Sequence, residues 1–146
     1  MIAGLTVLDA GPGVTVQDHG RAGYLSSGLS RSGAADLLAL SEGAALLRQD
    51  PAMAGLEMAG TGGTFQVHGE LRIALTGAPM RATVDGAAIA WNASHTLADG
   101  QVLSIGAASR GVFAVSRLLC SVSTVSAVFT SHTASTGRHW HVLRSW

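Results

Sequence analysis

Cysteine is nearly absent. Cys120 stands alone in 146 residues, so no intrachain disulfide can form and no cysteine-rich metal site can be assembled. Charge is scarce as well: 12% of residues are charged, and basic and acidic residues balance at 9 each. A net charge of zero removes the electrostatic case for nucleic acid or an anionic membrane as partner. So little charge also leaves an apolar surface, which suits a chain with a partner, or one that is part of something larger. No apolar run approaches the ~18 residues that cross a bilayer. The opening MIAGLTVLDAGPG lacks a basic segment followed by a long apolar one. No signal peptide is expected, and the expected compartment is the cytoplasm.

What the chain does have is glycine, at 19 residues, and apolar side chains, at 47%. That apolar share suits a globular core, and the length suits one domain. Glycine falls between short apolar runs. MRATV-DG-AAIAW reads as one hairpin around Asp85-Gly86, and SHTLA-DG-QVLSIG as a second around Asp99-Gly100, because glycine accepts the positive φ of tight turns. In LRIALTG, Leu71, Ile73 and Leu75 alternate with Arg72, Ala74 and Thr76, a strand pattern. GTFQVHG and RGVFAVS read as further strands, and strands at this spacing predict a barrel or sandwich. One helix is expected near residues 34–49, where Leu37, Leu40, Ala44 and Leu47 recur at helical spacing. Ser32 is its expected N-cap, Asp36 sits near its first turn, Gly43 weakens it, and Pro51 ends it.

The few charges cluster in PGVTVQDHGRAGYLSSGLSRSGAADLLAL, residues 12–40. Gln17, Asp18 and Arg21 place an amide, a carboxylate and a guanidinium close together. That set can hold a charged substrate or orient a reacting amide; it can also be a turn with a structural ion pair. In SGLSRSGAAD, glycines and serines before a helix can present N–H groups to an anion or a developing oxyanion, or can form an ordinary loop and cap. It is neither a P-loop nor a dinucleotide fingerprint. Asp36 is a catalytic candidate or a cap charge. Glu57, in apolar GLEMAG, is either a buried acid–base group or a structural partner of Arg21 or Arg31. The six histidines are scattered; His139-Trp140-His141 is a weak metal pattern, and no metal site is expected. Trp91 and Phe65 read as core residues.

The order of these stretches carries a resemblance. The 12–40 stretch, then LEMAGTGGTFQ, IALTGAPMRATVDGAAIAW, LADGQVLSIG and RGVFAVS, is similar to the first half of the carboxyltransferase-domain family. That family includes the carboxyltransferase-type subunit of 5-oxoprolinase, allophanate hydrolase subunit 2-like proteins and the antagonist of the KipI kinase inhibitor. The resemblance runs from about Gly4 to Ser116 and rests most on TVQDHGRAG, SGAAD and LTGAPM. It implies a mainly β fold, a partial cyclophilin-like β-barrel with the one helix. It implies ATP as cofactor, a KipI or allophanate-hydrolase-subunit-1-like partner, and a small amide or lactam substrate. For the 5-oxoprolinase version the implied reaction is ATP-dependent opening of 5-oxoproline to glutamate. By position in the motifs, Gln17, Asp18, Arg21, Asp36 and Glu57 are the implied site residues. The resemblance also admits a non-catalytic regulator that binds a KipI-like inhibitor, and biotin-dependent carboxyl transfer of the urea type.

There are departures. One threonine, Thr15, stands where the family doubles it; Ala35 replaces a methionine and Gly43 an asparagine. After Ser116 the texture changes. Residues 1–116 read as the N-terminal part of the family domain, and 117–146 as an aberrant tail. Read one base out of register, the tail permits the family's order. Arg117-Leu118 and Leu118-Leu119 allow Gly and Phe, Ser121-Val122 allows Pro, and Thr124-Val125 allows Leu. Ala127-Val128 and Val128-Phe129 allow Arg and Ser, Gly137-Arg138 and Arg138-His139 allow Gly-Gly, and Trp140-His141 forces Gly. The expectation is a frameshift near Ser116 and a truncated product, inactive alone.

Overall fold

In the computed structural model the backbone is described for residues 3–120, 128–134 and 137–143, and side chains for residues 3–115. The chain order is β1 (Gly4–Ala10), β2 (Val14–Gln17), a short 3-10 turn (Leu25–Ser27), α1 (Leu37–Leu47), β3 (Gly55–Ala59) and β4 (Gly63–His68). It continues with β5 (Leu71–Gly77), β6 (Met80–Val84), β7 (Ala87–Ile89), β8 (Ala93–Leu97), β9 (Val102–Ala108), β10 (Phe113–Cys120), β11 (Val128–Ala134) and β12 (Gly137–Leu143). The strands form two antiparallel sheets, in the orders β11-β12-β1-β4-β9-β6-β7 and β2-β3-β10-β5-β8. Between them lies one core, with Leu5, Met58, Phe65, Val67, Leu71, Ile73, Leu75 and Leu103 almost fully buried. This is the mainly β architecture with one helix that the sequence predicts.

β5 shows why the pattern reads as it does. Leu71, Ile73 and Leu75 face the core. The opposite face is also buried toward its end, Ala74 at 0% and Thr76 at 1% exposure, because α1 packs there. The Thr76 hydroxyl donates to the Ala39 carbonyl at 2.7 Å, tying the helix to the sheet, while Leu40, Ala39 and Ala34 form a small cluster with Val115 of β10. Phe65 is core, as expected; Trp91 is half-buried, packs against the core and donates its indole N–H to Gly77 O at 3.1 Å.

Two sequence expectations are corrected. The first hairpin is real: β6 pairs β7 across Asp85-Gly86, with φ of 49° and 83°, as a two-residue turn requires. The second is a turn but not a hairpin. β8 pairs β5 in one sheet, and β9 pairs β4 and β6 in the other. The chain changes sheet at Asp99-Gly100, where Gly100 N–H donates to Val67 O and the Asp99 carboxylate accepts from Gly69 N–H. Helix α1 begins at Leu37, and its N-cap is Asp36, whose carboxylate accepts from Ala39 N–H at 2.9 Å. Ser32 lies outside the helix at φ 56°. Its C-cap is Arg48 in the left-handed region at φ 54°, before Pro51.

Candidate functional site

The stretch between β2 and α1 is a projecting lobe with a closed base. Ala34 N–H donates to Asp18 O at 2.8 Å, and Arg21 N–H to Arg31 O at 2.8 Å. Arg31 Nε–H donates to His19 O at 3.1 Å. The Asp18 carboxylate turns the chain by accepting from Gly20 N–H at 2.7 Å, the local bond for which Asp is favoured in turns. The two arms of the base touch backbone to backbone. A Cβ on Gly33 would lie 2.5 Å from Gly20 N, and one on Gly20 would lie 2.4 Å from Arg31 O. Both have positive φ, 69° for Gly20 and 87° for Gly33. Only glycine meets both demands, which is why glycines crowd the charged residues here.

Glu57 is the second fixed point. In β3, Leu56 and Met58 face the core, so Glu57 points to the opposite side, toward the start of α1. It is 5% exposed, and its two carboxylate oxygens accept from Ala35 N–H at 3.1 Å and Asp36 N–H at 3.0 Å. Neither arginine is its partner; the expected pairing with Arg21 or Arg31 is replaced by two backbone donors. The N–H groups of Ala34, Ala35, Asp36 and Ala39 therefore all donate within the chain. The backbone just before the helix and its cap is thus held by the chain's own carboxylates.

Of the five sequence candidates, Asp18, Asp36 and Glu57 belong to one hydrogen-bonded frame. Gln17 lies at the end of edge strand β2, its amide N–H donating to Thr15 Oγ1 at 3.2 Å. Arg21 is exposed, and its guanidinium has no partner among the described residues. The groups left without a partner among the described residues are thus the Gln17 side-chain carbonyl, one Asp18 oxygen and the Arg21 guanidinium. Sequence reasoning passed over His19, whose Nδ1 is buried without a partner among the described residues; its position inside the motif was the available signal. It also gave no sign of a cleft of about 490 Å³ lined by Glu42, Ala45, Leu46, Thr76 and Asn92.

Among the described residues no group of three or more His, Cys, Asp or Glu could hold a metal ion. His68 bonds to Thr6 Oγ1, and His95 to Ala90 O. The side chains of Cys120, His139 and His141 lie outside the described residues. No helix among the described residues is long and apolar enough to cross a membrane.

Comparison with known proteins places this geometry. The chain is similar to urea amidolyase of Kluyveromyces lactis, with a TM-score of 0.76 and 28% identity, over 81% of this chain and 7% of that one. It is similar to urea carboxylase of the same yeast, with a TM-score of 0.77 and 26% identity, over 85% of this chain and 11% of that one. TTHA0988 matches with a TM-score of 0.75 and 25% identity, over 80% of this chain and 24% of that one. The chain thus spans a minor part of each of these relatives. No curated protein matches it. The model of one family, the carboxyltransferase domain, subdomain A and B, matches residues 27–136, from the 3-10 turn of the lobe past Ser116. The match covers most of the chain, and the chain belongs to the carboxyltransferase-domain family.

Proposed function

We propose that this chain supplies part of the substrate-holding half of an amide-activating enzyme of the 5-oxoprolinase type, working with a subunit-1-like partner. The observation that carries the reading is the fixed frame at the β2–α1 junction. Asp18, Asp36 and Glu57 spend their carboxylates on backbone N–H groups and so hold Gln17 and Arg21 in place at its solvent side. A guanidinium carried on this held backbone suits the carboxylate of 5-oxoproline, and the amide of Gln17 suits its lactam. In this reading stabilisation of the developing oxyanion falls to Gln17, Arg21 and groups of the partner. In this reading ATP is held by the partner.

The test is reconstitution with a subunit-1-like protein and measurement of 5-oxoproline-dependent ATP hydrolysis. Arg21→Ala and Asp18→Ala should each lower turnover by about 100-fold or more, with melting temperature held for Arg21→Ala. Turnover equal to wild type in both variants sinks the assignment. A second reading, biotin-dependent carboxyl transfer to a urea-like substrate, is favoured by the similarity to urea carboxylase and urea amidolyase. It predicts no 5-oxoproline dependence, and transfer from carboxybiotin to urea instead. A pair that binds tightly with neither activity fits the non-catalytic regulator.

A further inference from the structure

The lobe itself presents a surface that its own fold does not use. Residues 20–32 are all exposed, and its tip carries Leu25 at 80%, Tyr24 at 54% and Leu29 at 46% exposure. These apolar side chains are not the product of a loose loop. Tyr24 O accepts from Ser27 N–H at 3.0 Å and from Leu29 N–H at 3.2 Å, so the tip is a folded turn. The crossed glycines and the Arg21–Arg31 bond lock the base. Such a lobe is held away from the body in one shape, and a surface ordered in advance loses little entropy when it docks. The charge is one-sided: Arg21 and Arg31 flank the tip, and no Asp or Glu occurs from residue 19 to residue 35.

We propose that this lobe is a docking finger for a second protein, whose receiving surface is an apolar cleft rimmed by carboxylates. Tyr and Leu fill the cleft, and Arg31 meets the rim, where charge governs encounter and register, while Arg21 at the base stays with the substrate. A membrane is the weaker fit, since surface anchoring draws on clusters of about 4–8 basic residues, and the lobe has two arginines. A nucleic acid is weaker still, because phosphate binding scales with the number of cations. The proposal rests on the reading that the chain works with a partner protein, and adds which surface meets it.

The experiment immobilises the subunit-1-like protein and measures association of wild type, Leu25→Asp, Leu29→Asp and, on the far sheet, Arg81→Glu. Thermal melting of each variant is recorded beside it. Leu25→Asp and Leu29→Asp should bind about tenfold more weakly or worse with unchanged melting. Arg81→Glu should bind like wild type, and the wild-type association rate should fall several-fold as salt is raised. Full binding by both leucine variants overturns the finger while leaving the partner reading intact. No wild-type binding overturns both. A salt-independent association rate removes the acidic rim. Leucine-dependent capture on anionic phospholipid vesicles, without binding to the protein, overturns the proposal in favour of a membrane.

Discussion

Gly20 and Gly33 are not interchangeable with the other glycines of the lobe. A methyl group on either would press into backbone, whereas one on Gly23 or Gly28 would meet nothing within 4 Å. All four have positive φ. Gly23→Ala and Gly28→Ala should therefore lose only the conformational penalty, about 1 kcal/mol. Gly20→Ala and Gly33→Ala should lose about 2–4 kcal/mol, read by urea denaturation. Glu57→Gln is a sharper case. The amide keeps one acceptor for two N–H donors, so one buried donor is left facing an NH₂ group, at a cost of about 1–3 kcal/mol. Amide exchange at Ala35 and Asp36 should quicken in that variant; unchanged protection would mean that the carboxylate does not hold the loop. At this scale the sequence was legible where the bond is local. Asp18 reaches an N–H two residues ahead, the turn its place suggests, whereas Asp36 caps the helix at an N–H three residues ahead where the sequence pointed to Ser32. Glu57 was not legible, since its donors sit on another element and no spacing rule connects them.

At the scale of elements, two identical dipeptides lead to different connections. Asp85-Gly86 closes a hairpin; Asp99-Gly100 carries the chain from one sheet to the other. The dipeptide specifies a local reversal of direction, and the choice of neighbour is made by long-range pairing, here of β9 with β4 and β6. Strand identity was readable from period-2 alternation; sheet order was not. The helix was readable too, but three residues too long at its start, because Asp36 rather than Ser32 supplies the cap. The face of β5 beneath the helix yields its own prediction. Ala74 is fully buried on the face that carries Thr76 against the helix. Ala74→Leu should overpack this layer and cost about 1–3 kcal/mol, seen as a lower midpoint in urea. Thr76→Val should cost about 1 kcal/mol for the lost bond to Ala39 O.

At the scale of the whole molecule, β10 runs unbroken through Ser116 and Arg117, pairing with β5 as far as Cys120, while β12 lies beside β1. These ladders use backbone groups that any sequence carries, so they do not discriminate between a selected and an unselected tail. We propose that the segment after Ser116 is read out of frame. Resequencing across the codons for Val115 to Arg117 should reveal a long continuation of the family's second half in another frame; its absence ends the idea. The Asp99-Gly100 crossing has a wider consequence. Its two bonds reach Gly69 and Val67, at the place where the chain passes from β4 in one sheet to β5 in the other. Two sheet-to-sheet crossings are thus stitched back to back. A chain cut at the exposed Asp85-Gly86 turn would give two fragments, each holding strands of both sheets and neither owning a complete layer. Such fragments are natural complementation partners: each has to wait for the other before any core can close.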